Sequence, residues 1–155
     1  MLRFGAVAAA LLGLSGVAAA DPPPGDLGLL QGYWKPLRVE FEGKPQMTAD
    51  QMQNVTVVIE NAEYHLYFVD RTGPEPRPLR LALVNVSLDP TTTPKTIVME
   101  FAAGPLKGQK RHGIYEVTGN QLKLCYGPQE KPKPTAFVAP PNSGYFLEVW
   151  GKQPK

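Results

Sequence analysis

Apolar and polar side chains alternate along most of this chain in short runs separated by turn residues. A period of two is the signature of half-buried β-strands. From Tyr33 to Glu42 the odd positions Tyr33, Leu37, Val39 and Phe41 are apolar, while Arg38, Glu40 and Glu42 are charged. Pro36 has no amide proton, so this first strand is expected to bend or bulge there. Val55, Val57 and Ile59 share a face of a second strand over 54–60, and Tyr64, Leu66 and Phe68 share a face of a third over 63–69. Further strands are expected at about 79–88, 96–102, 111–117, 121–126 and 145–150. Their inward faces are read as Leu79, Leu81 and Leu83; Ile97, Met99 and Phe101; Tyr115 and Val117; Leu122, Leu124 and Tyr126; and Tyr145, Leu147 and Val149.

The connections support the same reading. Gly119-Asn120 supplies positive-φ residues for a two-residue hairpin turn between the sixth and seventh strands. Prolines at 74, 76 and 78 keep the segment after Asp70 out of a sheet ladder. One short helical turn is expected at 48–53, capped by Thr48. Eight strands with hairpin-length loops and no long helical pattern predict an all-β fold, an eight-stranded antiparallel up-and-down barrel, with a sandwich as the alternative. Closure removes the exposed edges that a flat sheet would leave.

Composition narrows this picture at both ends of the chain. Residues 1–20 carry Arg3, an Ala-, Leu- and Gly-rich run, and Ala18-Ala19-Ala20, which is the pattern of a cleaved secretory signal peptide. Cleavage after Ala20 leaves about 135 residues. Asp21 to Leu29 opens with three consecutive prolines and reads as an extended tether, with the barrel domain spanning 30–152 and its first residues near Leu27. No later apolar run is long enough for a helical membrane span. The expected location is therefore periplasmic or extracellular.

Charge and chemistry mostly exclude. A formal charge of +2 in 155 residues argues against a protein held on nucleic acid by phosphate contacts. A single cysteine, Cys125, excludes an internal disulfide framework and any multi-cysteine metal site. Cys125 falls out of phase with Leu124 and Tyr126, has no histidine near it in sequence, and reads as an inert outward residue. His65 and His112 read as surface residues, so neither a metal nor a cofactor is expected. Lys131 and Lys133, with Lys107, Lys110 and Arg111, are candidates for a basic patch at one end of the barrel. An enzyme on this scaffold would draw on Glu116, Tyr115 or His112, but the inward faces carry almost no polar side chains, which favours binding over catalysis.

Gly32-Tyr33-Trp34 opens the first strand, and a Gly-x-Trp triplet in that place is similar to the lipocalin and calycin signature. Leu30 to Lys35, Glu42-Gly43-Lys44-Pro45, Leu88-Asp89-Pro90 with Pro94-Lys95, Gly113 to Glu116, Leu122 to Tyr126 and Pro134 to Phe137 follow in order. Together they resemble an uncharacterised lipocalin-like domain family expanded in planctomycete bacteria, across nearly the whole chain from Leu30 to Trp150. Tyr33, where that family usually has a small polar residue, and Pro36 depart from it. The resemblance implies a barrel whose closed end is crossed by Trp34, beneath a basic side chain for which Lys152 is the nearby candidate. By analogy of fold it implies binding of a small apolar molecule. The candidate ligand-binding residues are Trp34, Phe41, Tyr64, Phe68, Phe101, Tyr115 and Tyr145, lining either a filled interior or a small pocket near one mouth. The expected partner is a small hydrophobic molecule or an envelope protein, bound by a monomer. The rival is an interaction or inhibitor module using the proline-rich loops at 70–78 and 127–142.

Overall fold

The computed structural model describes residues 23–155; the signal-peptide reading of 1–20 lies outside the described residues. Its strands are β1 (Gly32–Phe41), β2 (Lys44–Pro45), β3 (Val55–Glu60), β4 (Glu63–Asp70), β5 (Arg77–Asp89), β6 (Thr96–Phe101), β7 (Lys110–Thr118), β8 (Gln121–Pro128) and β9 (Phe146–Lys152). All pair antiparallel with their neighbours in chain order, except that the two-residue β2 folds back on the end of β1, and β3 pairs with the start of β1 on that same side, opposite β9. The pairing of β1 with β9, from Trp34–Lys152 to Phe41–Phe146, closes eight strands into a barrel. Two short helices complete the fold: α1 (Asp26–Leu30) and α2 (Ala49–Asn54). Thr48 caps α2 in a reciprocal capping box with Gln51, as its position before a helical run implies.

The barrel has two different ends. At one lie the start of β1, the turns Asn61–Ala62 and Gly119–Asn120, the end of β9, and α1, which lies across the opening. Residues 26–29, expected in the extended tether, form this helix instead. Its Leu30 is buried in the core, and the Asp26 carboxylate accepts from Lys95 Nζ (2.7 Å) and Tyr115 Oη (2.8 Å). At the other end lie Phe41, the 71–76 loop, Phe101, Arg111, Pro128 and Phe146. That loop is shorter than the 70–78 loop expected, because Arg77 and Pro78 pair in the β4–β5 ladder. Here α2 leads into β3 and Met47 packs against the core, and we refer to this end as the mouth. Gly119 alone of the turn pair takes a positive φ, 57°, as a type II′ hairpin requires.

Two strands carry the opposite phase from the one their sequence suggests at first sight. In β5 the inward residues are Ala82, Val84, Val86 and Leu88, and Leu81 is 60% exposed. A register shift in the β4–β5 ladder, between Leu66–Ala82 and Tyr67–Arg80, leaves Leu81 unpaired and inverts the alternation beyond it. In β9 the inward residues are Phe146, Glu148 and Trp150, while Leu147 faces outward yet is buried. The outer face of β9 is apolar because residues 128–145 fold back over it. Phe137, Ala139 and Tyr145 pack there on Ile114, Cys125 and Leu147 as a second, external cluster. In β1, Pro36 and Arg38 flank the bulge that proline predicts, so Trp34 and Val39 both face inward while Tyr33 and Leu37 are exposed.

Candidate ligand cavity

The end beneath α1 is sealed. Trp34 is fully buried, donates its indole N–H to the Leu30 carbonyl (2.8 Å), and lies beneath Lys152, whose Nζ is 5.3 Å from the ring centroid and donates to the Leu29 carbonyl (3.1 Å). This is the arrangement the lipocalin resemblance implies. Tyr115 fills the same end, its hydroxyl held by Asp26; burial and that carboxylate push its pKa well up. Trp34 and Tyr115 therefore close the barrel rather than line a pocket.

Toward the mouth the packing is incomplete. A cavity of about 90 Å³ lies among Tyr64, Leu66, Ala82, Val84, Met99, Phe101, Arg111, Tyr126 and Glu148. One wall, from β4, β5 and β6, is largely apolar: Leu66, Ala82, Val84, Met99 and Phe101, with Tyr64 at its deep end. The facing wall, from β7, β8 and β9, is polar and ends in a carboxylate. Glu148 is only 7% exposed, and three donors reach it: Tyr126 Oη at 2.6 Å on Oε1, and Trp150 Nε1 at 2.9 Å and Tyr64 Oη at 3.4 Å on Oε2. Burial raises its pKa, and the three hydrogen bonds pull the other way without cancelling that. The same burial, with the Glu148 charge, holds both tyrosines far above their ordinary range. Among the described residues no lysine, arginine or histidine lies within salt-bridge distance of Glu148.

Two features place this wall. Gly113 stands opposite Tyr126 in the β7–β8 ladder, where a Cβ would collide with the Cys125 carbonyl oxygen and lie 2.6 Å from Tyr126 Cβ. Only glycine lets β8 approach closely enough there. Above Tyr126 an aromatic run crosses the mouth: Phe146 stacks on Tyr126 (centroids 5.4 Å apart) and Phe41 tilts against Phe146 (4.6 Å).

Of the residues expected to bind, Tyr64 and Phe101 line the cavity, and Phe41 and Phe68 are half-buried near the mouth. Tyr145 does not belong to the site: it faces outward, donates its hydroxyl to the Pro132 carbonyl (2.7 Å) and packs on the external cluster. Its exclusion follows from the inverted phase of β9. The same inversion hid Glu148. The signal for it was a lone acid in the otherwise uncharged stretch Tyr145 to Trp150, apolar on both faces. Arg111, expected in a surface basic patch, instead lines the cavity.

The residues considered for catalysis do not converge. Glu116 is exposed and 3.4 Å from Lys123, while His112 Nε2 is 2.8 Å from the Lys131 carbonyl oxygen on the outer wall. His65, also on the outer face, pairs with Glu63 at 3.1 Å. Cys125 is fully buried beneath the 128–145 segment, its Sγ donating to the Val138 carbonyl, and burial pushes its pKa up to about 11. Among the described residues no group of His, Cys, Asp and Glu side chains is placed to hold a metal ion. Comparison of the chain with protein-family models and with curated proteins finds no match.

Proposed function

We propose that this chain is an exported, non-enzymatic, lipocalin-like binding module that admits a small, largely apolar molecule through the mouth of its barrel. The observation that carries this reading is the asymmetry of the interior. One end is filled and latched by Trp34, Lys152 and α1, whereas the other retains a cavity floored by Glu148 below an aromatic rim. A closed barrel of eight strands has room for its own side chains or for one small ligand. Here the deep space corresponds to about three water molecules at liquid volume, so it takes part of a ligand and the rim takes the rest. The planctomycete lipocalin-like resemblance and the leader-like N-terminus support export to the envelope. The loop at 127–142 is a weaker candidate for partner docking, because its Phe137 and Ala139 are already spent on covering the barrel wall.

The test is a titration with a fluorescent fatty-acid or retinoid probe. Saturable, displaceable binding is expected, and Ala82→Met, which fills the cavity, should weaken it at least tenfold. Absence of displaceable binding, or equal binding by Ala82→Met, overturns the reading.

A further inference from the structure

The two charged groups on the cavity wall lack charged partners. Arg111 is half-buried, and among the described residues no carboxylate lies within salt-bridge distance of its guanidinium, nor does any side-chain or backbone oxygen accept a hydrogen bond from it. Glu148 is satisfied by neutral donors only, and its Oε1 accepts from Tyr126 alone, leaving a lone pair of that oxygen free. Register places Arg111 on the mouth side of Tyr126, opposite Pro128, and Glu148 on the deep side, opposite Leu124. A guanidinium and a carboxylate thus line one small cavity, on either side of Tyr126 along the sheet and across from Leu66, Ala82, Val84 and Phe101.

This arrangement discriminates by charge. A ligand head bearing only an anion meets Arg111 favourably but is repelled by Glu148. A head bearing only a cation has the reverse problem. Glu148 is buried, so a mismatch there is screened less by water and salt than it would be on a surface. A head that carries both charges on neighbouring atoms meets each with its complement, and its own dipole opposes the field already present.

We infer that the cavity receives the head of a dipolar ligand, an α-amino carboxylate, with its ammonium toward Glu148 Oε1, its carboxylate toward Arg111, and an apolar side chain lying among Phe41, Phe101 and Phe146. The guanidinium presents paired N–H groups that match a carboxylate in two parallel bonds. The polar head occupies the space that a few water molecules would fill, consistent with about 90 Å³. The inference rests on the reading of the barrel as a binding module and specifies what it selects.

The experiment is displacement of an uncharged fluorescent retinoid, retinol, from the intact chain at neutral pH by leucine, by leucinamide (cation only) and by 4-methylpentanoate (anion only). Leucine should displace at least tenfold more effectively than either analogue. In Arg111→Met the gap between leucine and leucinamide should close, and in Glu148→Gln the gap between leucine and 4-methylpentanoate should close. Arg111→Lys, which keeps the charge without the planar fork, should retain part of the preference. Unchanged circular dichroism and thermal midpoint of Arg111→Met separate a lost contact from a lost fold. Probe binding without preference for leucine, or a preference that survives both charge-removing variants, overturns the inference and leaves the binding reading intact. Failure of the probe itself to bind removes both.

Discussion

The hydroxyl of Tyr126 donates to Glu148 Oε1 at 2.6 Å inside the barrel, in a space whose other walls, Arg111 apart, are aliphatic and aromatic side chains. Glu148 is tolerated there because three neutral donors converge on it, and its burial still raises its pKa. The consequence for stability has a definite sign. In the window between the ordinary carboxylate value and the raised native one, the folded chain binds more protons than the unfolded chain, so stability falls as pH rises through it. Glu148→Gln keeps one acceptor oxygen for the Trp150 indole N–H, turns the Tyr126 contact round so that the hydroxyl accepts from the new amide, and cannot titrate. Denaturant melts from pH 4 to 7 should show a flatter pH dependence for Glu148→Gln than for the wild type. Glu148→Ala, which strands those donors, should cost about 1–3 kcal/mol for each one left unpaired.

Gly113 holds the wall on which that pair sits. A methyl group there strikes the Cys125 carbonyl oxygen and the Tyr126 Cβ, both parts of β8 that cannot swing aside. Gly113→Ala should therefore lower stability by about 3 kcal/mol or more, read in urea melts, and weaken probe binding through displacement of Tyr126.

At the sealed end the ammonium of Lys152 caps Trp34. An exposed cation–π contact contributes about 0.5–1 kcal/mol, whereas removing a fully buried tryptophan costs about 3–5 kcal/mol. Lys152→Met should be mild and Trp34→Ala severe by thermal melting. Lys152→Met should leave probe affinity unchanged, since it lies at the end away from the mouth.

Asp26 ties α1 to the barrel through Lys95 and Tyr115, and those hydrogen bonds hold its carboxyl below the usual range. A lowered carboxylate stabilises the fold above its ordinary pKa, and that contribution is lost as pH falls toward the native value. Asp26→Ala should cost about 1–3 kcal/mol near neutral pH, because it leaves the Tyr115 hydroxyl without its acceptor, and the difference from wild type should shrink in acid. Urea melts at pH 7 and pH 3 check this.

Cys125 combines complete burial with a thiol pKa of about 11. The thiolate is the reactive form, so folded protein should resist an aromatic disulfide reagent at pH 8 and react with one equivalent per chain on unfolding. Rapid labelling of native protein would mean that the 128–145 cover opens readily.

Much of this fold is legible in the sequence because period-two alternation survives in the strands with one polar face. Val55, Val57 and Ile59 and their partners Tyr64, Leu66 and Phe68 point where the pattern places them. The pattern fails for two physical reasons. A bulge at Leu81 inverts the phase of β5 without any glycine or proline at that position to announce it. Strand β9 is buried on both faces, inside by the core and outside by the 128–145 segment, so its run of apolar residues carries no phase information. The candidate site shared that ambiguity: Phe101 and Tyr64 could be read from alternation, but Glu148 and Tyr145 exchanged sides with the phase of one strand. Helix α1 is five residues behind a proline run and too short to show a helical period.

The central claim is that the mouth-side cavity is the binding site. Amide chemical-shift mapping of labelled protein, titrated to saturation with the fluorescent apolar probe, tests it most directly. Shifts should concentrate at Leu66, Ala82, Met99, Phe101, Arg111 and Tyr126, with those around Trp34 and α1 unmoved. Shifts concentrated on the outer cover at Phe137, Ala139 and Tyr145, or at the α1 end, would contradict the claim.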